Sequence, residues 1–399
     1  MVYKDVTAHP CISGVVWSGV YLLLIVTQSK RKLNDVYFGC FLLAFFFFFV
    51  GFTIAVPKKV KAVFEPQHSV HINSSIFKII LIIQYVAALA WVALFWKDIV
   101  ASSNSVWQAI RQSEIKINYL SEILVNVFPI ISAVALYGYL NSPSRLNRVF
   151  FVWSLPPLFV AMLTSNRSTW FYVISTFMFV LFFTKRFSNK RIVKWSLLGG
   201  AAIIGLFVIS SLSKYSNVMR NASLTEKLLN YFETYFVSPP LAFIQWLHSD
   251  YSLKNGKCTF RFFTAIAKIF SPEIEVQNTV MPFTKVGNVY TNVYTILHWY
   301  SMDFGLWWAY VVQGILGFMF GKLYTLVKRT NAPKRFHVLL LSMLMSVLLG
   351  EFFCDTFMTH LSSWIQRFFW AYLLCRIIIV DEYCTEPKRR KSIRFRFLK

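Results

Sequence analysis

Long apolar runs, separated by shorter polar or basic stretches, recur along most of the 399-residue chain. A helix needs about 20 mostly apolar residues to cross a bilayer, and runs of this kind predict ten membrane-spanning helices. They lie near 11–28, 36–57, 76–96, 122–140, 149–163, 169–184, 196–212, 306–327, 337–353 and 364–380. The pattern therefore predicts an all-α, polytopic integral membrane protein that forms one transmembrane domain over residues 1–399.

One long polar stretch, roughly 213–305, interrupts this series between the seventh and eighth spans. Within it, KLLNYFETYFVSPPLAFIQWL and FRFFTAIAKIF have apolar residues at helical spacing, which predicts amphipathic helices lying on the membrane. A connection of this length inside a compact protein is usually a binding or catalytic element. We therefore expect the functional site in this loop.

The orientation of the chain follows from its basic loops, because Lys and Arg collect on the cytoplasmic side of membrane proteins. Basic residues concentrate at 185–195, at 328–336 and in the tail after Cys384. Placing these segments inside puts the 213–305 loop outside, on the opposite face of the membrane. The basic residues at 30–32 would then lie outside, against this rule. The basic loops between the later helices outnumber this one and decide the orientation.

Composition supports the membrane assignment, since 56% of the residues are apolar, 15% are charged and the mean hydropathy is +0.53. Soluble domains carry about 25% charged residues. The net charge of +24 is accounted for by the basic loops, so nucleic acid is not expected as a partner. The six cysteines show no CxxC pair, and the sequence has no Gly-rich phosphate loop, HExxH or GxSxG motif. No metal and no cofactor are therefore expected.

The polar loop ends in GNVYTNVYTILHWYSMDFG, which is rich in amides, hydroxyls and aromatic rings. Aromatic rings cover the apolar faces of sugars while amides and hydroxyls bond sugar hydroxyl groups, so this mixture favours a carbohydrate site. The alternative is that the aromatic residues form an interfacial belt. The substrate-binding candidates here are Asn288, Tyr290, Thr291, Asn292, Tyr294, Thr295 and Tyr300.

Several charged residues stand out against the apolar background. Arg167 is alone in the short turn SNRST between two short spans, where its planar fork suits a phosphate group or, alternatively, a lipid headgroup. Arg220 and Arg261 are further phosphate candidates in the long loop. Glu351, Asp355 and His360 lie where the ninth span emerges and serve either in function or as structural partners, for example of Arg367.

TNVYT followed by YSMDFG, together with the SNRST turn and YFVSPPLAF, resembles the bacterial oligosaccharide repeat-unit polymerases, the Wzy-type O-antigen polymerases. The resemblance implies an enzyme that joins undecaprenyl-pyrophosphate-linked repeat units on the periplasmic face of the inner membrane, with a fold similar to membrane-embedded (GT-C-like) glycosyltransferases. Its partners are then the lipid-linked donor and acceptor, membrane lipid and a chain-length regulator protein.

The same resemblance implies roles for individual residues. Arg167, with Arg220 or Arg261, is expected to bind the donor diphosphate. Asp303 is the candidate base or acceptor-orienting carboxylate, with His298 and Glu351 as alternatives. Tyr235, in YFVSPPLAF, is a further substrate-binding candidate.

Three other functions remain open from the sequence. An O-antigen ligase uses the same donor and differs in its acceptor. A lipid-linked oligosaccharide flippase is disfavoured because the chain lacks two matching halves and its polar residues gather on one side. A membrane acyltransferase with His360 as its base is the third.

Overall fold

The computed structural model of the chain describes residues 7–27, 35–57, 69–101, 119–163, 167–184, 187–215, 223, 225–226, 230, 232–249, 251–287, 289–328 and 334–382. Within these residues the chain is predominantly helical, and each of the ten predicted spans falls on a helix. Those ten helices are α1 (His9–Thr27), α2 (Asp35–Ala55), α3 (Ser74–Ala101), α4 (Tyr119–Asn141), α5 (Arg145–Leu163), α6 (Arg167–Thr184), α7 (Asn189–Tyr215), α11 (Leu306–Lys328), α12 (Arg335–Gly350) and α13 (Leu361–Ile378).

Three of these helices are long and apolar enough to cross a membrane by length and composition. The qualifying stretches are Ser74–Leu94 of α3, Glu122–Asn141 of α4 and all of α11. Shorter apolar helices cover Gly39–Ala55, Thr169–Thr184 and Arg335–Gly350. The mostly helical fold with candidate membrane spans is thus confirmed, and the full number of ten spans and the periplasmic position of the polar loop stay predictions.

The helices pack into one continuous apolar core in which α12 is mostly buried. The closest helix pair is α2 against α11, where glycines let the two backbones meet. A Cβ atom built on Gly317 would lie 2.1 Å from the carbonyl oxygen of Phe48. A Cβ atom built on Gly51 would likewise meet the backbone carbonyl of Gly314. Small residues at such contacts are typical of helix packing in membranes.

The polar loop contributes three further helices: α8 (Ser238–Leu247), α9 (Arg261–Phe270) and α10 (Ile296–Phe304). A π-helical turn, Glu233–Val237, leads into α8. Two prolines are tolerated in the first turn of α8 because the amide groups there have no helical partner. One face of α8 packs into the core, whereas α9 has no buried residue.

Two small antiparallel sheets complete the described structure. β1 (Ser69–Ile72) pairs with β4 (Ile379–Glu382), the strand that directly follows α13. β2 (Thr284–Val286) pairs with β3 (Val289–Thr291) in the polar loop just before α10. The second sheet leads the chain into the YSMDFG segment.

Candidate functional site

The YSMDFG segment forms the second half of α10 and the turn after it. Every residue of α10 except Phe304 is buried. Thr295 precedes the helix in an extended conformation, and Gly305 ends it at a φ of 82°. Glycine adopts this left-handed conformation without steric cost. The chain can therefore turn sharply from α10 into α11.

The carboxylate of Asp303 is wholly buried and binds the backbone of a neighbouring turn. Its Oδ1 accepts a 2.9 Å hydrogen bond from the amide of Cys258, and its Oδ2 accepts a 2.5 Å bond from the amide of Thr259. A negative charge in the last turn of a helix is unfavourable for the helix dipole, and these two amides compensate it. Burial and the Asp303 charge both raise the pKa of the Cys258 thiol.

Tyr300 connects α10 to the segment between α12 and α13. Its hydroxyl donates a 2.8 Å hydrogen bond to Oδ1 of Asp355. Asp355 in turn accepts hydrogen bonds from the backbone amides of Phe357, Met358 and Thr359. Burial, followed by the Asp355 charge, raises the pKa of Tyr300 well above its ordinary value. The phenol therefore stays protonated and keeps this segment in place.

Arg367, in the second turn of α13, has an unusual set of partners. Its Nε donates a 2.9 Å hydrogen bond to Oδ1 of Asn126 on α4. Its guanidinium lies 4.2 Å from the ring centroid of Tyr172 and 4.9 Å from that of Trp364. Within the described part of the chain, no carboxylate pairs with this arginine. Its positive charge is thus oriented by aromatic rings and an amide, and is not neutralised by them.

We call Arg261, His360 and Arg367 the basic cluster, because the charges of both arginines influence the ring of His360. Partial desolvation lowers the pKa of the His360 ring; the Asp355 charge opposes this shift, and the charges of Arg367 and Arg261 add to it. Both arginines therefore act on one imidazole, although they lie on different helices. Arg261 is the first residue of α9, and its Nε donates a 2.8 Å hydrogen bond to the carbonyl of Gln277.

Buried side chains of α10 hold the two segments that carry the arginines of the basic cluster. Asp303 holds the turn that leads into α9 and Arg261, while Tyr300 holds Asp355 and the turn that leads into α13 and Arg367. One short helix therefore positions both segments that carry the arginines.

Glu351 occupies a different place, at the end of α12. Its Oε2 accepts hydrogen bonds from Ser13 Oγ (3.1 Å) and Trp17 Nε1 (3.0 Å) on α1. Its backbone oxygen accepts a 2.9 Å bond from the amide of Ile296, the first residue of α10. Glu351 is fully buried, and its Oε1 has no hydrogen-bond partner among the described residues. It joins α1, α10 and α12.

His298, near the start of α10, lies inside an aromatic cluster. Its ring stacks on Tyr294 with a centroid distance of 4.0 Å and meets Trp246 edge to face at 4.7 Å. Burial lowers the pKa of His298 to about 3. The imidazole is therefore neutral at pH 7 and is a weak proton acceptor.

The remaining sequence candidates are spread around these groups. Thr291, Tyr294 and Thr295 are buried, Asn292 and Tyr235 are partly buried, and Tyr290 is exposed on β3. The ring of Tyr235 stacks on Phe353 with a centroid distance of 5.8 Å. Arg220 and Asn288 lie outside the described residues. Arg167 is the first residue of α6, and its side chain is outside the described part.

Arg367 is absent from the site residues that the sequence predicts, where it is only a possible partner for carboxylates. Its signal was available: it is a single arginine in the apolar segment SSWIQRFFWAY. Ionisable residues within such segments are often functional. In the described residues, no group of His, Cys, Asp or Glu has an arrangement that holds a metal ion.

Comparison with known proteins agrees with the resemblance inferred from the motifs. The chain is similar to an O-antigen polymerase from Shigella dysenteriae, with 23% identity over 251 residues. The match covers 62% of this chain and 60% of the relative's length. No family model matches the chain, and no solved structure matches it. The expected similarity to O-antigen polymerases is therefore confirmed.

Proposed function

We propose that this protein is a glycosyltransferase that polymerises surface polysaccharide, such as O-antigen, in the bacterial inner membrane. It joins oligosaccharide repeat units carried on undecaprenyl pyrophosphate, and its active side is periplasmic. Similarity to an O-antigen polymerase supports this proposal, as does the placement of the basic cluster beside the polar loop. Membrane lipid and a chain-length regulator protein complete the proposed partners.

The contacts of Arg367 are the observation that carries the proposal. A pyrophosphate leaving group needs cations that are not already neutralised, in surroundings drier than bulk water. Arg367 is held at its Nε by Asn126 and on its face by Tyr172 and Trp364. No carboxylate among the described residues competes for its terminal nitrogens. The planar guanidinium group therefore suits bidentate binding of phosphate.

Two further arginines are proposed to complete the diphosphate clamp. Arg261 acts on the same histidine as Arg367. Arg167 begins α6, five residues before Tyr172, which corresponds to about 7.5 Å along a helix. The three arginines come from α6, α9 and α13, so the clamp forms only when these helices are packed together.

In the proposed reaction, a sugar hydroxyl of the acceptor attacks the anomeric carbon of the donor glycan. The bond between that carbon and the pyrophosphate oxygen breaks, and lipid pyrophosphate leaves with the bonding electron pair. The acceptor proton needs a base. We assign this role to His360, which is accessible to solvent and is influenced by the charges of Asp355 and both arginines. An imidazole whose pKa lies below its ordinary value is unprotonated at pH 7 and ready to accept it.

The carboxylates predicted as bases are assigned positioning roles. Both oxygens of Asp303 are occupied by backbone amides, and Glu351 binds side chains of α1. Tyr290, on the exposed face of β3, and Asn292 are proposed to contact the glycan, together with Asn288. Tyr235, Thr291, Tyr294, Thr295 and His298 are proposed to shape the wall behind them.

The surface glycan of a strain that lacks the gene tests the proposal. A polymerase defect leaves a single repeat unit attached to the lipid A core, because one unit can still be ligated. Restoration of long chains by the wild-type gene, but not by an Arg367→Ala variant at equal membrane abundance, would support the clamp. Loss of all repeat units in the deletion strain would instead identify a ligase or a flippase and overturn the proposal.

A further inference from the structure

We infer that α9 lies flat on the lipid leaflet next to the basic cluster, with its apolar face inserted at the boundary between headgroups and acyl chains. The helix has no buried residue, although half of its sequence RFFTAIAKIF is large and apolar. Phe263, Ile266 and Phe270 recur at a spacing of three and four residues and are all exposed. Such a face is expected to be covered in the native environment.

The exposure is greatest at the end of α9 that lies farthest from the core. Ile269 is 76% exposed and Phe270 is 81% exposed. Lys268, also exposed, lies on the opposite, polar side of the helix, because residues are spaced by 100° around the axis. A basic polar face opposite an exposed apolar face is typical of an interfacial helix.

We infer that lipid covers the exposed face of α9, because the apolar face continues onto a helix long enough to span the membrane. A Cβ atom built on Gly256 would lie 3.1 Å from the ring of Phe260 and 3.4 Å from the ring of Phe304. Phe260 immediately precedes α9, and Phe304 ends α10 just before α11. Both rings are exposed. The apolar surface therefore passes from α9 to α11 without a polar break at this turn.

The surface continues along α11 on one helical face. Trp307 is 70% exposed, and Val311, Ile315 and Phe318 follow at intervals of four, four and three residues, all exposed. This stripe belongs to a helix that meets the length and composition of a membrane span. A tryptophan at the start of such a stripe is typical of the membrane interface. α9 is thus at interfacial depth.

The position of α9 has a consequence for substrate selection, and this step rests on the proposed function. Arg261 is the first residue of α9, so seating of the helix on the leaflet places this guanidinium at the depth of lipid headgroups. The pyrophosphate of a lipid-linked sugar lies at that depth, whereas a nucleotide sugar or free diphosphate is dissolved in water. The helix therefore favours lipid-linked donors over soluble ones.

The depth of α9 is measured with the full-length protein in lipid nanodiscs of phosphatidylethanolamine and phosphatidylglycerol. An environment-sensitive fluorescent amino acid replaces Phe270 in one variant and Lys268 in the matched control, and some lipids carry a nitroxide near the top of the acyl chain. We expect quenching at position 270 to exceed that at 268 by about threefold or more, as for an inserted apolar face. Equal quenching at the two positions, or none at 270, would overturn the inference.

A second measurement separates this inference from the proposed function. Ile269→Glu together with Phe270→Glu is expected to abolish the nitroxide quenching of a fluorophore at Phe263 and to shorten the glycan, with unchanged membrane abundance because both side chains are exposed. Quenching retained in the double variant would refute lipid seating. The depth measurement does not depend on enzymatic activity. Strong quenching in a protein without polymerase activity would therefore refute the proposed function but support the lipid seating of α9.

Discussion

The hydroxyl of Tyr300 donates a 2.8 Å hydrogen bond to the carboxylate of Asp355, and both residues are buried. They are 55 positions apart in the chain. Tyr300 lies on the same short helix as Asp303, whose carboxylate binds the turn before α9. Helix α10 therefore holds together the two segments that carry the arginines of the basic cluster. We call this pair of connections, through Tyr300 and Asp303, the α10 bracket.

Tyr300→Phe tests this bracket. The change removes one hydroxyl and leaves the buried Asp355 carboxylate with one donor fewer, which is expected to lower the free energy of unfolding by about 1–3 kcal/mol. Glycan chains should shorten because the segment before Arg367 loses its anchor. Thermal unfolding in detergent and glycan chain length are the measurements. Tyr290→Phe, at an exposed position, is the control and should behave as wild type; an equally stable and active Tyr300→Phe would refute the bracket.

Asp303→Asn separates a positioning role from a catalytic one. The asparagine amide group would face a backbone amide at Cys258 or Thr259, so two donors oppose each other and one hydrogen bond to a charged group is lost. We expect a loss of about 2 kcal/mol in unfolding free energy together with shorter glycans. Melting temperature and chain length are measured on the same membranes. Shortened glycans with an unchanged melting temperature would instead favour Asp303 as the base.

Arg367→Lys tests bidentate binding of the donor diphosphate. Lysine keeps the positive charge but lacks the planar fork that contacts Tyr172, Trp364 and a phosphate group together. The variant is expected to lose long glycans nearly as completely as Arg367→Ala, while Arg376→Lys, at an exposed position of the same helix, should leave chain length unchanged. The same comparison at Arg167 distinguishes a clamp from lipid contact: full activity of Arg167→Lys would favour headgroup binding.

The burial of His298 predicts that the free energy of unfolding of the protein falls in acid. An unfolded histidine has a pKa of about 6.5, whereas burial lowers the pKa of His298 to about 3. Between these values the unfolded chain binds a proton that the folded protein does not. Its contribution to stability is complete above about pH 6.5 and falls by up to about 1.4 kcal/mol per pH unit below it. His298→Phe should flatten this dependence in melting experiments at pH 7 and pH 5; an identical acid dependence in both proteins would contradict the assignment.

Gly317→Ala tests the close contact of α2 with α11. The added methyl would lie 2.1 Å from the carbonyl oxygen of Phe48, so the helices must separate at a cost of about 1–3 kcal/mol. Gly200→Ala on α7 is the matched control, because a Cβ atom there meets nothing within 4 Å. The control should be neutral or up to about 1 kcal/mol more stable, since alanine favours helix. Equal melting temperatures for the two variants would show that α2 and α11 do not pack this closely.

The helix positions were determined by the sequence itself. In a membrane the backbone must satisfy its own hydrogen bonds, so a long apolar run has almost no alternative to a helix. The run of phenylalanines in α2 and the apolar stretch of α11 were therefore sufficient to place both elements. The amphipathic pattern of α9 was equally local, because its exposed residues recur along one short segment.

The partners of the charged residues were decided by tertiary structure. The sequence placed Asp303 in a polar segment near a span, but did not reveal that the amides of Cys258 and Thr259 occupy both carboxylate oxygens. The partners of Arg367 include Asn126, which is 241 positions away. Such contacts depend on which faces of separate helices meet, and the spacing of apolar residues within a single helix carries no record of that choice. Whether a charge binds substrate or supports the fold therefore follows from packing between helices and not from the residue type.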